Sequence, residues 1–135
     1  MDRLFLDANV LFSAAYREEN SLLQLWQLAD VELTTSRFAV AEAERNLANE
    51  SKRQRLLTLV QKLTVFESAL SVALPSNVRL PEKDVPILAA AIETGATHLL
   101  TGDKRHFGPL FGQRINGVLV ERPGAYLARR LGATS

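Results

Sequence analysis

The sequence predicts an α/β fold in which a parallel sheet is covered on both faces by helices. Three observations predict it. Short apolar runs of strand length recur at residues 4–6, 97–101 and 118–120. Segments with apolar residues at helical spacing separate them. Strands that alternate with helices favour parallel pairing, which buries each strand on both faces. The chain has 135 residues, 47% of them hydrophobic, enough for one core and therefore one domain over 1–135.

Taken in order, residues 4–6 read as a buried strand with Asp7 at its carboxyl end, and Asn9 is a candidate cap for a helix over 10–16. After the polar break REEN, Ser21 can cap a second helix with Leu22, Leu25, Trp26 and Leu28 facing inward. VELTTS, residues 31–36, reads as a strand that leads into a capping serine. Residues 38–49 are alanine-rich and helical, and a further helix from about Ser51 carries Leu56, Leu59, Val60 and Leu63 at helical spacing. Residues 65–74 fit either a continuation of that helix or a separate short one, which Pro75 ends.

Residues 78–80 are assigned as a very short strand. Asp84 caps the next helix, with Pro86 in its first turn where a missing amide proton is harmless. Ile87, Leu88, Ala91 and Ile92 form its buried stripe, and Gly95 suits its C-terminus. A strand over 97–101, a short helix or turn over 105–110, a strand over 118–120 and a terminal helix from Pro123 to Leu131 complete the chain.

Composition removes several function classes. Cysteine is absent, which excludes thiolate nucleophiles, Cys-ligated zinc and disulfides. No apolar run approaches the ~18 residues of a membrane span, and MDRLFLDANVLF is broken by aspartate before a signal-peptide core forms, so a soluble cytoplasmic protein is expected. The net charge of +1 is too small for nucleic acid to be held by global charge, so any such contact is local. No glycine-rich phosphate loop of the GxxxxGK kind is present.

The carboxyl ends of parallel strands gather at one edge of the sheet, where ligands bind. Asp7 and Asp103 both follow apolar strands at that edge, and Asp84 opens a helix at a junction of helix and sheet. Carboxylates brought together repel, and each takes up a proton unless a cation joins them. With no cysteine and no evident histidine ligand, an oxygen ligand set favours Mg²⁺ or Mn²⁺. Such an ion can bind a phosphate oxygen, acidify a water and steady a leaving oxygen, which describes phosphodiester hydrolysis. A fourth acid must come from the helix after residue 36. Glu42 and Glu44 are both available, but two residues turn about 200° around a helix, so only one can face the site. Periodicity leaves that choice open.

The ordered set DAN at 7–9, SRFAVAE at 36–42, EKD at 82–84 and TGDKRHF at 101–107 closely resembles the PIN-domain ribonucleases, in particular the toxin components of bacterial and archaeal toxin–antitoxin pairs. The match runs from Leu4 to at least Val120. The resemblance implies a three-layer α/β/α fold with a parallel sheet of about five strands in the order 3-2-1-4-5. It places the four family acids on Asp7, Glu42, Asp84 and Asp103, as catalytic residues and ligands of Mg²⁺, with Mn²⁺ as the alternative. The family's hydroxyl-x-aspartate feature falls on Thr101 and Asp103, and Asn9 fits the polar position after the first aspartate.

Asn9 and Thr101 are therefore supporting candidates, alternatively simple caps or backbone partners. Lys104 and Arg105 are candidates for RNA phosphate, alternatively a solvated turn. His106 is expected to pack or cap near Phe107, alternatively to contact substrate; His98 is expected to be structural, and Trp26, Tyr16 and Tyr126 to pack rather than stack on bases. The function implied is a Mg²⁺-dependent endoribonuclease with RNA as substrate, a small antitoxin protein as partner, a homodimer as assembly and no membrane contact. The rival readings are a non-catalytic binding module for metal, RNA or protein, a metal-dependent DNA nuclease, and a receiver-like domain. The last expects a lysine on a later strand, whereas Lys104 directly follows Asp103.

Overall fold

The computed structural model describes residues 1–67 and 73–132. Its centre is β1 (Asp2–Leu6), whose Leu4, Phe5 and Leu6 are fully buried. On one side β1 pairs in parallel with β2 (Val31–Ser36), Leu4 opposite Leu33. On the other it pairs in parallel with β4 (His98–Leu100), Leu4 opposite His98. β3 (Thr64–Phe66) extends the sheet beyond β2, and β6 (Val118–Glu121) extends it beyond β4. A two-residue strand, β5 (Arg114–Ile115), closes that edge antiparallel to β6.

The order is β3-β2-β1-β4-β6-β5. Its parallel members run 3-2-1-4-5 when counted along the chain, as the resemblance implied, within a three-layer α/β/α fold. The strand order reverses at β1 and β4, so the crevice between their carboxyl ends is the natural place for a ligand.

Helices connect the strands: α1 (Ala8–Tyr16), α2 (Arg37–Asn46), α3 (Glu50–Val60), α4 (Val85–Glu93), α5 (Lys104–Phe107) and α6 (Pro123–Leu127), with a π turn over Ala128–Gly132. Ser36 caps α2, its hydroxyl accepting from the Ala39 amide at 3.1 Å. The C-terminus of α1 is closed by Arg55 from α3, which donates to the carbonyls of Ala15 and Tyr16. This satisfies two of the carbonyls that a helix end leaves without partners.

Several local expectations need correction. Asp7, not Asn9, caps α1, its carboxylate accepting from the Ala8 amide. Residues 21–27 form a 3₁₀ helix capped by Asn20, not by Ser21, and of its apolar residues only Leu25 is fully buried. The Trp26 indole instead reaches out to the Leu59 carbonyl at 3.1 Å. Residues 64–66 are strand rather than helix: their apolar run is too short to report a period, and pairing with β2 decides their state. The rest of the ambiguous stretch includes 68–72, which lie outside the described residues. Residues 78–80 make no strand. The β5–β6 hairpin turns at Asn116 and Gly117, whose φ of 50° and 88° are the paired left-handed positions that an Asn-Gly turn supplies, a signal present in the sequence.

The C-terminal helix is fastened to the first strand by Tyr126. Its ring is fully buried, and its hydroxyl donates to Asp2 Oδ2 at 2.7 Å and accepts from Arg130 Nη1 at 2.6 Å. Tyr126→Phe keeps the ring and removes both bonds. We expect a loss of about 1–2 kcal/mol in denaturant unfolding, with the midpoint lowered and the slope unchanged.

Candidate active site

Asp7 stands one residue beyond β1 and is 5% exposed. Its Oδ1 accepts from the Ala8 amide at 2.6 Å, and its Oδ2 accepts from Thr101 Oγ1 at 2.8 Å and from Asn9 Nδ2 at 3.1 Å. Burial pushes its carboxyl up from 3.8 to about 6; the bonds from Thr101 and Ala8 oppose that rise, while the nearby charges of Glu42 and Asp84 add to it.

Thr101, fully buried at the end of β4, joins the two aspartates that flank it in space. Its hydroxyl donates to Asp7 and accepts from the Asp103 amide at 3.1 Å and from Asn9 Nδ2 at 3.2 Å. Asn9 completes the frame by accepting from the Gly102 amide at 2.8 Å. The loops after β1 and β4 are thus locked together by side chains of residues 7, 9 and 101.

Asp103 caps α5, its Oδ1 accepting from the His106 amide at 3.1 Å. Asp84 occupies the position before α4, but its side chain makes no capping bond, contrary to the sequence expectation. It turns toward α5. His106 Nδ1 lies 2.9 Å from Asp84 Oδ2 and 3.0 Å from Asp103 Oδ2. The Asp84 carboxyl is pushed up by burial first, with Asp103 adding to that rise and His106 and Lys83 opposing it.

Glu42 from α2 faces the same cleft, whereas Glu44 is exposed and lines no part of it. All four acids line one cleft of about 550 Å³, together with Asn9, Phe12 and Lys83. Lys104 and Arg105 are exposed and do not line it; Lys83 is the cation that does. His98 is buried at the opposite end of β4, against Thr97 Oγ1 at 2.7 Å and edge-on to Tyr126.

His106 is the residue that the sequence reading undervalued. The signal was present: three residues after an aspartate that caps a helical turn, a side chain returns to the same face. The structure brings it between two acids, so the donor set is not oxygen alone.

Asp84, Asp103 and His106 each offer one ligand atom, and these atoms lie within 4.8 Å of one another. Asp84 Oδ2 and His106 Nδ1 are buried and have no aligned hydrogen-bond partner among the described residues; they lie 2.9 Å apart, at ion-pair distance. Buried polar atoms without aligned partners are costly. A divalent cation would satisfy both, so the residues present fit one.

Comparison with known proteins agrees with the fold. The model of the PIN domain family matches residues 3–105. A chain of the VapBC2 structure from Rickettsia felis, bound to a DNA fragment from their promoter, superposes with a TM-score of 0.67 at 17% identity, over 89% of this chain and 98% of that one. A chain of FitAcB from Neisseria gonorrhoeae superposes with a TM-score of 0.53 at 22% identity, over 90% of this chain and 98% of that one. No curated protein matches.

Proposed function

Because the chain belongs to the PIN-domain family, we propose that it is a metal-dependent endoribonuclease and the toxin of a toxin–antitoxin pair, acting in the cytoplasm. The observation that carries this reading is the convergence of Asp7, Glu42, Asp84 and Asp103 on one cleft at the point where the strand order reverses. Such a set of acids is unfavourable when empty of cations, and hydrolysis of a polyanion is the chemistry that uses it. The VapBC2 and FitAcB structures support the toxin assignment by fold and by the complexes they come from.

In this reading Asp103, Asp84 and His106 would hold the ion, with Asp7 and Glu42 completing the shell. Mg²⁺, or Mn²⁺ in its place, would supply positive charge beside the scissile phosphate and acidify the attacking water. Thr101 and Asn9 keep the Asp7 carboxylate in orientation, where it would accept the proton of the attacking water. Lys83 at the rim attracts the phosphate backbone. Cleavage leaves a 5′-phosphate and a 3′-hydroxyl. Asp7, Glu42, Asp84 and Asp103 are catalytic residues in this assignment, Asn9 and Thr101 are supports, and Lys104 and Arg105 guide RNA outside the cleft.

The test is cleavage of an end-labelled panel of structured RNAs with Mg²⁺, Mn²⁺ or excess chelator. Metal-dependent discrete fragments are expected. Matched DNA cut as fast as RNA would instead make the enzyme a DNA nuclease, and intact nucleic acid from a folded, metal-loaded protein would favour a binding module. The proposed homodimer predicts a concentration-independent dimeric mass in size-exclusion chromatography.

His106 also makes a prediction about the ion. An imidazole nitrogen favours Mn²⁺ over Mg²⁺ relative to an all-oxygen set. His106→Ala is expected to weaken Mn²⁺ binding about 10-fold or more, and Mg²⁺ binding less, in calorimetric titrations. An unchanged ratio between the two ions would remove His106 from the ligand set.

A further inference from the structure

The acid cleft continues past the acids. α1 lines it with Ala8, Asn9, Phe12 and Ser13, and Phe12 and Ser13 also line a second pocket of about 520 Å³ that reaches Tyr16 and Arg17. Residues 8–9, 12–13 and 16–17 lie on successive turns of one helix face, so the two pockets adjoin along α1 and lead from Asp7 to the end of that helix. Arg55 bonds the carbonyls of Ala15 and Tyr16 there, which reduces the repulsion that an anion meets at a helix C-terminus.

Tyr16 is the unusual member. Expected from sequence to pack, it is 42% exposed, whereas Tyr126 is fully buried. Its ring leans on Phe12, with centroids 5.4 Å and planes 38° apart, and the Lys52 ammonium sits over it at 3.4 Å from the centroid. Lys52 does not line the pocket although Tyr16 does, so the cation covers one side of the ring and the pocket lies on another. Arg17 is the one charged residue of the lining; it is exposed, and its guanidinium makes no hydrogen bond or ion pair among the described residues. An open aromatic ring beside an unpaired cation supplies both parts of a single-strand nucleic-acid contact, a stacking face and a phosphate partner.

We propose that this pocket is a stacking subsite for an unpaired base of the RNA beside the cut, a proposal that rests on the nuclease reading and names the substrate feature it selects. The base lies against Tyr16, and Arg17 holds a phosphate of the same strand. Phe12 and Lys52 already restrain the ring, so little side-chain freedom is lost when a base arrives. A paired base is stacked within its own helix and presents no free face, so the subsite selects loops, bulges or ends. Every base has a π face, so the selection is for an unpaired strand rather than for a sequence. The one charge of the lining is positive, and the pocket is continuous with the acid cleft where the scissile phosphate would lie. Both favour the RNA strand over a protein as occupant.

The test uses the Asp7→Asn protein, so that RNA is bound and not cut, with fluorescein-labelled octauridylate and an octamer of abasic ribose phosphates. In fluorescence anisotropy, adding Tyr16→Ala is expected to weaken octauridylate about 10-fold, the worth of one stacked base, and to leave the abasic octamer within about two-fold. Tyr16→Phe keeps the ring and should bind both oligomers as its parent does. Arg17→Ala should weaken both alike and lower the salt slope by about 0.7, the value for one phosphate of a single strand. Thermal melts check that the variants fold. Equal loss of both oligomers in Tyr16→Ala, no loss of either, a loss in Tyr16→Phe as large as in Tyr16→Ala, or no binding of either oligomer would overturn the subsite. So would a dimer that Tyr16→Ala dissociates in size-exclusion chromatography without a base-dependent change in RNA binding, which would give this face to a second copy of the chain. RNA cleaved equally well by the wild type and by Tyr16→Ala at limiting substrate sinks the subsite and leaves the nuclease standing; base-dependent binding through Tyr16 without cleavage of any RNA does the reverse.

Discussion

Asp7→Asn is expected to abolish metal-dependent cleavage, a loss of about 100-fold or more, and at the same time to make the metal-free protein more stable at pH 7. The two effects share a cause. Burial raises the Asp7 carboxyl from 3.8 to about 6, so between those values the folded chain holds a proton that the unfolded chain has released. Stability therefore falls as pH rises through that window. At pH 7 the group is charged in both states and the full cost of burying the charge is present; below about pH 4 it is neutral in both and the cost is gone.

A shift of this size corresponds to about 3 kcal/mol at most. Asparagine does not recover all of it. Its Oδ1 can still accept from the Ala8 amide, but its Nδ2 would face Asn9 Nδ2, which now donates to Asp7. Asn9 cannot turn over without losing its bond from the Gly102 amide. The expected gain is about 1–2 kcal/mol, a few degrees in Tm. Melting curves of the two proteins with chelator should differ at pH 7 and converge toward pH 4. Saturating Mn²⁺ should reverse the order, because an ion that binds only the folded state stabilises the wild type more. A less stable Asp7→Asn protein at pH 7 without metal would mean that Asp7 is not strained by burial.

The sequence was a good guide where one physical rule acted alone. Residues 4–6 had to be a buried strand because an apolar run that short and that continuous fits little else, and Asp7 after it had to find partners. Gly95, at φ 75°, marks the end of α4 as its chemistry requires. The sequence was a poor guide where tertiary contact decided. β3 exists because β2 offers it a ladder, and nothing local in residues 64–66 says so.

The site divides the same way. Strand ends announced Asp7 and Asp103, whereas the choice between Glu42 and Glu44 needed the packing of α2 against α1 and α4, which turns residue 42 into the cleft. Asp84 was expected to cap its helix, but the 3₁₀ turn over Glu82–Asp84 gives it a helical backbone (φ −96°, ψ −13°) in place of the extended one a capping residue adopts, and its side chain turns to His106. Lys104 reads as adjacent to the site because it follows Asp103, yet α5 carries it to a separate pocket.

Thr101→Val is the second change with a large expected effect, although it alters no carboxylate and nearly preserves shape. One hydroxyl serves three groups: it donates to Asp7 Oδ2 and accepts from the Asp103 amide and from Asn9 Nδ2. A methyl in its place leaves the Asp103 amide without its partner and removes the bond that opposes the rise of the Asp7 carboxyl. Each part-buried unsatisfied group costs about 1–3 kcal/mol, so a stability loss of that order is expected in denaturant unfolding. Thr101→Ser, which keeps the hydroxyl, should recover most of it. Cleavage should fall about 10–100-fold in Thr101→Val, the usual range for a residue that orients ligands without touching the ion. The loss should appear as weaker metal affinity, partly restored by excess Mn²⁺, since the acids themselves remain. Activity that is unchanged while stability falls would show that the hydroxyl holds the fold only. Activity lost without rescue by metal would show that Thr101 itself contacts the reacting groups, a role its complete burial behind Asp7 argues against.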